Sequence, residues 1–148
     1  MTRLLVCDLD GTLCDDSHRR ALAKPGSWDQ YHERMGNDTP CDAVATIVTH
    51  WIVCGHEVLF LTGRPERYRE RTVQWLSLNG IGSYHYHLLM RPDENRERTE
   101  VFKVRALKAF LQQMPRFEVS LILEDRSRLV NVFRQLGYPT FQVAENNT

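Results

Sequence analysis

The sequence predicts an α/β fold, an open and mostly parallel sheet with helices on both faces. Apolar runs of strand length alternate with helix-period segments along the chain. Two of those runs stop abruptly at acidic residues, Asp8 after the first and Glu124-Asp125 after a later one. Glycines stand where helices should end, at Gly55, Gly80 and Gly137. With 148 residues, 42% of them apolar, the chain is long enough for one domain around a packed core.

Arg3 to Leu9 reads as the first, centrally buried strand. Ser17 to Ala23 reads as a short helix capped by Ser17, and Pro25-Gly26 breaks it. Trp28 to Met35 is a second short helix, closed by Gly36. Asp42 to Cys54 is longer, with Val44, Ile47, Val48 and Trp51 at helical spacing. His56 to Leu61 is the second strand. Pro65 is expected to open a helix to about Leu78, ended by Asn79-Gly80. Tyr86 to Met90 is the third strand, and 91–98 a polar loop. A helix from about Thr99 to Gln113 precedes the fourth strand, Val119 to Leu123. Arg126 to Leu136 is a helix stopped by Gly137, and Thr140 to Val143 is the fifth strand. The reading is one domain over 1–148, with a small insertion at about 14–40.

Composition excludes several functions. A protein that binds nucleic acid without regard to sequence is usually basic, whereas the net charge here is zero. Any nucleic-acid contact must therefore be local. Sixteen arginines against three lysines would suit phosphate recognition by planar guanidinium forks, or reflect codon composition. No apolar stretch approaches the roughly 20 residues of a membrane span. Asp8 and Asp10 interrupt the first apolar run, so nothing there reads as a secretory signal. Residence in the cytoplasm is the expectation, the host's if the source is a phage. Cys7, Cys14, Cys41 and Cys54 form no C-x-x-C pair and read as reduced thiols. His85-x-His87 alternates like a strand but has no further metal ligand at a recognisable spacing.

In an open parallel sheet, ligands bind beyond the carboxyl ends of the strands. Those ends carry Asp8-Leu9-Asp10-Gly11-Thr12, Thr62-Gly63-Arg64 and Glu124-Asp125-Arg126, with Lys103 early in the helix before the fourth strand. Carboxylates, a hydroxyl, an arginine and a lysine thus converge on one place. A lysine alone in a helix is more often solvated, and an Asp-Gly-Thr stretch alone can be a turn. Their order along the chain is what gives them meaning.

That order resembles the haloacid dehalogenase superfamily. Its four motifs are matched by Asp8 to Thr12, Thr62, Lys103 and Glu124-Asp125. The resemblance implies a Rossmann-like sheet of strand order 3-2-1-4-5 with a minimal helical cap, and a Mg2+-dependent phosphatase. It implies Asp8 as nucleophile, Asp10 as acid and then base, and Thr62 and Lys103 as further catalytic groups. Asp8, the Asp10 carbonyl and Asp125 would hold the metal, with Glu124 behind them. A carboxylate attacking a phosphate dianion is repelled, by roughly 1 kcal/mol per unit-charge pair at about 4 Å in water and roughly 4 at an effective dielectric of 20. Cations are therefore required. The dehalogenase branch lacks the second aspartate, so Asp10 implies phosphoryl transfer. For Asp10 to reach the same space as Asp8, the chain must leave strand geometry, which Gly11 permits.

Within the superfamily, residues 56–75 and 121–144 look like the 3′-phosphatase half of bacteriophage and bacterial polynucleotide kinase/phosphatase. Gly63, Arg64, Arg91 and Arg126 match that family's substrate-binding positions and are expected at the phosphate. The acidic pair departs from it, being Glu-Asp where Asp-Asp is usual. No G-x-x-x-x-G-K-[ST] is present, so the kinase half would be a separate protein or be missing altogether, with a separate kinase or ligase as the partner to expect. The 14–40 insertion leaves an open site able to admit a polymer end, and Trp28 and Tyr31 are equally suited to base stacking or to a core. A nucleic-acid 3′-phosphate end is the first expectation for the substrate and a free nucleoside 5′- or 3′-monophosphate the second. An inactive module that binds phosphorylated ends is the third, disfavoured by the presence of both aspartates.

Overall fold

A computed structural model describes residues 1–148 and has the expected α/β architecture. Strands β1 (Thr2–Cys7), β4 (Glu57–Pro65), β5 (His87–Arg91), β6 (Phe117–Arg126) and β7 (Thr140–Asn146) form one parallel sheet in the order β5-β4-β1-β6-β7. Counting these five in chain order gives 3-2-1-4-5. Period-two alternation sends the central strand's side chains to two cores. Leu5 and Cys7 pack with Val44 and Val48 of α2 (Asp42–Val53) and with Trp75 and Leu76 of α3 (Arg69–Leu78). Leu4 and Val6 pack on the opposite face with Leu107 of α4 (Thr99–Gln113) and with Leu129 and Phe133 of α5 (Ser127–Gln135).

Residues 14–40 form a small insertion. Its base is a two-stranded antiparallel ladder, β2 (Cys14–Asp15) against β3 (Thr39–Pro40). Between them lie a 3-10 turn at Ser17–Leu22, the short helix α1 (Trp28–Glu33) and another 3-10 turn at Met35–Asn37.

Several boundaries differ from those expected. Pro65 ends β4 in an extended conformation and pairs with Arg91; the helix then starts through a 3-10 turn at Glu66–Tyr68. Ser17 does not cap the first short helix but begins it, with Asp16 at the cap position and the Ser17 N–H donated to Asp15 Oδ1. Strand β6 runs through the acidic pair to Arg126, since its ladder with β7 continues past the apolar run. All four cysteines are free thiols, as expected. No helix is long and apolar enough to cross a membrane.

Candidate active site

The carboxyl ends of β1, β4 and β6 share one edge of the sheet, and a cleft of about 560 Å³ opens there. Asp8, Asp10, Thr62, Gly63, Lys103 and Arg126 line it. Lys103, on the first turns of α4, donates from Nζ to Asp8 Oδ1 at 2.7 Å and to Glu124 Oε2 at 2.8 Å. The other Glu124 oxygen accepts the backbone N–H groups of Asp125 and Arg126. Both oxygens of Glu124 are thus engaged in fixing Lys103 and the turn after β6. Thr12 Oγ1 lies 3.1 Å from both Asp8 Oδ2 and Asp125 Oδ1. Asn146, at the end of β7, donates to Asp125 Oδ2 at 2.7 Å.

Gly11 is required in this arrangement. Its φ is +82°, and a Cβ there would run into the Asp125 carboxylate. The chain turns tightly around it, with Thr12 N–H donating to Leu9 O and Gly11 N–H to Cys14 O. This departure from strand geometry is what brings Asp10 into the same cleft as Asp8.

Asp8, Glu124 and Asp125 bring carboxylate oxygens within 4.8 Å of one another, around one ammonium. Burial and repulsion from Glu124 push the Asp8 carboxyl well above its ordinary range, although Lys103 opposes them. Burial likewise raises Glu124. Burial alone would lower Lys103, but its two carboxylates outweigh this and hold it charged. Three buried acids for one lysine leave anionic charge that a further cation would balance. The ligand atoms of this cluster are all carboxylate oxygens, with no thiolate or imidazole among them, which suits Mg2+.

Asp10 has different surroundings. Arg64 Nη2 and Arg19 Nη2 each lie 2.6 Å from Asp10 Oδ1. Burial would raise its carboxyl, but the two guanidinium groups prevail and hold it well below the usual range. Arg19 is itself gripped by Asp38 at 2.8 and 2.5 Å and donates to Tyr31 O. The insertion therefore provides one of the two cations that fix Asp10.

Arg64, expected at the substrate phosphate, sits behind Asp10. Its side chain is wholly buried, does not line the cleft, and donates to Asp10, Thr72 Oγ1 and Met35 Sδ. The buried carboxylate of Asp10 needs a partner, and Arg64 supplies it. Arg91 does line the cleft, but its nitrogens are taken by Gly63 O, Asn95 Oδ1, Glu97 O and Thr99 Oγ1, so it ties the 92–98 loop to β4. Arg126 is in the opposite situation: it lines the cleft and its guanidinium has no hydrogen-bond partner or ion pair in the protein. Burial disfavours its charge, yet Asp8, Glu124 and Asp125 raise it. Thr62 is buried at the cleft wall, and its hydroxyl accepts the Arg64 N–H.

Trp28 and Tyr31, equivalent in the sequence, part company in the structure. Tyr31 is buried and donates its hydroxyl to Asp16 Oδ2 at 2.6 Å. Trp28 is 40% exposed at the cleft rim, its ring stacked on His32 at 6.1 Å. Sequence patterns assign no role to Arg19, Asp38 or Asn146, nor the bridging place to Thr12. Arg19 lay within reach, being the basic residue that follows the Asp8 motif on the insertion. Asp38 and Asn146 carry no local signal.

His32 provides a test of this packing. Burial, reinforced by Arg64 and Arg19 against the pull of Asp10, pushes its imidazole down to about 4, and its Nδ1 is buried without a partner. Between pH 6.5 and 4 the unfolded chain binds a proton there that the folded chain refuses. Stability from this group is thus intact above pH 6.5 and is lost as pH falls towards 4. Relative to His32→Phe, the unfolding free energy of the wild type should drop by roughly 2–3 kcal/mol across that interval. Urea titrations at a series of pH values would measure it, and parallel curves for the two proteins would refute it.

Comparison with known proteins agrees with this geometry. The family model of the polynucleotide kinase PNKP phosphatase domain matches residues 2–148. A protein of Autographa californica nuclear polyhedrosis virus, described as a bifunctional polynucleotide kinase/RNA ligase, is 24% identical over 139 residues, covering 93% of this chain and 19% of that protein. A chain in the structure of the Pnkp1/Rnl/Hen1 RNA repair complex is similar with a TM-score of 0.81 and 27% identity, over 100% of this chain and 44% of that one. A hydrolase from Streptococcus pneumoniae TIGR4 shares the fold, with a TM-score of 0.64 at 11% identity, covering 97% of this chain and 94% of its own. The chain spans less than half the length of the first two relatives. With the match running from β1 to the end of β7, the chain belongs to the PNKP phosphatase-domain family.

Proposed function

We propose that residues 1–148 act as one phosphatase domain, capped at about 14–40, that removes 3′-phosphates from polynucleotide ends through an aspartyl-phosphate on Asp8. The observation that carries this reading is the pairing of Asp8, held by Lys103, with an Arg126 guanidinium that has no protein partner on the same cleft wall. A phosphate entering the cleft would be drawn to Arg126 and brought before Asp8.

Asp8 attacks phosphorus through a carboxylate oxygen, and the bond to the 3′-oxygen breaks. Asp10, protonated when substrate is bound, gives that oxygen its proton, then as carboxylate takes one from the water that cleaves the phospho-aspartate, releasing inorganic phosphate and restoring Asp8 as carboxylate and Asp10 as acid. Because Arg64 and Arg19 favour the ionised form of Asp10, the second half-reaction is the one for which this arrangement is already prepared. Thr62 would donate its hydroxyl to a phosphate oxygen. Asp8, Asp125 and the Asp10 carbonyl would hold Mg2+, which when bound offsets the negative charge of the phosphate. Glu124 would act from behind, through Lys103.

The substrate reading rests on the names of the relatives, which join polynucleotide kinase to RNA ligase and RNA repair, and on the rim. Trp28, Arg67, Arg96 and Arg98 border the cleft, an aromatic face among cations suited to a strand end. A kinase or ligase working on the same ends would be a partner, borne on another chain or another part of a longer one. Four free thiols, two of them fully buried, suit a reducing compartment such as the cytoplasm.

Phosphate release from a 3′-phosphorylated oligonucleotide, compared with a nucleoside 3′-monophosphate, tests the proposal. Higher kcat/KM on the oligonucleotide is expected, and Trp28→Ala should reduce that advantage by about 5- to 100-fold, the range for loss of one stacked base. Equal kcat/KM on both substrates would instead favour a mononucleotide phosphatase.

A further inference from the structure

A second cluster of potential metal ligands lies at the opposite end of the sheet, where β4 and β5 begin. The sequence offers only His85-x-His87; the fold adds Glu57, thirty residues earlier. Leu59 pairs with His87 in the parallel ladder, so Glu57, two residues before Leu59, stands on the same face as His85 and His87. Glu57 Oε2 lies 3.2 Å from His87 Nε2 and 3.6 Å from His85 Nε2, and the three ligand atoms all fall within 4.8 Å of one another.

We propose that Glu57, His85 and His87 bind a divalent cation of the zinc class. Bonds of about 2.0–2.1 Å to imidazole and carboxylate at tetrahedral angles separate ligand atoms by about 3.3 Å. Both measured separations to Glu57 bracket that value, so an ion needs only a small movement of His85 to be enclosed. Two imidazoles and one carboxylate select Zn2+, Co2+ or Ni2+ over Mg2+. The all-oxygen cluster around Asp8 has the reverse preference, so the two ends of the sheet would sort metals by softness.

The site is partly preformed. The His87 ring packs edge-on against Phe110 and Phe117, with centroids at 5.2 and 5.6 Å, which fixes the direction of its Nε2. His85, with its side chain 73% exposed, leaves a path for the ion and room for water as fourth ligand. Because β5 pairs only with β4, a bound ion would pin this edge strand and the connection before it to the centre of the sheet. Its effect would be on stability, since the phosphatase cleft is at the other ends of these strands.

The test is thermal unfolding in excess Mg2+, with and without Zn2+, so that the carboxylate cleft is already occupied. Zn2+ at a hundredfold excess over its dissociation constant should raise the wild-type Tm by about 5–10 °C. His85→Ala and Glu57→Gln should each abolish most of that rise. The imidazole C–H resonances of His85 and His87 should move on Zn2+ addition while those of His18, His50 and His56 stay in place. No Tm rise in the wild type, or an equal rise in both variants, would overturn the proposal. So would Zn2+-dependent shifts confined to the other histidines.

Discussion

Asp8→Asn should abolish phosphate release, with kcat reduced by at least about 10⁴-fold, in the range seen when an enzyme's nucleophile is removed. Asparagine keeps the shape of the side chain but cannot form the acyl phosphate. The variant should not be less stable. Asp8 is buried beside Glu124 and Asp125, and its carboxyl lies above the ordinary range, so its ionised form works against the fold at neutral pH. Without metal, the variant should therefore melt at the same temperature as the wild type or higher, while Lys103 keeps Glu124 as its partner. A dead enzyme with an undiminished Tm locates the defect in chemistry. Activity within tenfold of the wild type would remove Asp8 as nucleophile and with it the aspartyl-phosphate route.

Arg19→Ala should damage both fold and rate. The Arg19 side chain is buried among Asp38, Asp10 and the Tyr31 carbonyl. Its removal takes the guanidinium from Asp38 in the interior, leaving His18 Nε2 at 2.7 Å and Arg64 at 3.8 Å as its remaining basic partners. Breaking a buried pair in this way costs about 3–5 kcal/mol, which a shift in urea midpoint would register. Asp10 loses one of its two cations, so its carboxyl should rise and its position loosen. General acid–base positioning is worth about 10²–10⁴-fold, and kcat should fall within that range. The acid limb of the pH–rate profile should move to higher pH. Arg19→Lys should restore part of the stability but less of the rate, because a single ammonium cannot bridge Asp38 and Asp10 as the guanidinium fork does. A variant with normal stability and an unmoved pH profile would show that the insertion merely covers the cleft.

Much of the fold was legible because backbone periodicity and stop signals are local. The helix from Thr99 to Gln113 has the observed bounds, and the five strands fall in their expected places. Strand ends were harder. Glu124 to Arg126 remain in the β6 ladder although the apolar run has stopped, since hydrogen bonding to β7 outlasts hydrophobicity. The residues assembled at the cleft were legible only as an ordered set; nothing about Lys103 alone distinguishes it from a solvated lysine. What escaped depends on contacts between remote segments. Asp38 matters through Arg19, Asn146 through Asp125, and Glu57 through two histidines on the neighbouring strand. The bond from Arg64 to Asp10 was not legible, because sequence shows that a guanidinium is near and not which carboxylate it will meet.

The contact from Asn146 to Asp125 has a practical bearing on how the protein is handled. The side chain that steadies this acid stands at the end of β7, so a bulky group attached beside Asn146 would tug directly on it. Met1, 82% exposed at the start of β1, lies at the far pole of the sheet. Attachments placed at that pole would leave the cleft undisturbed, whereas those beside Asn146 would register first as weakened Mg2+ dependence.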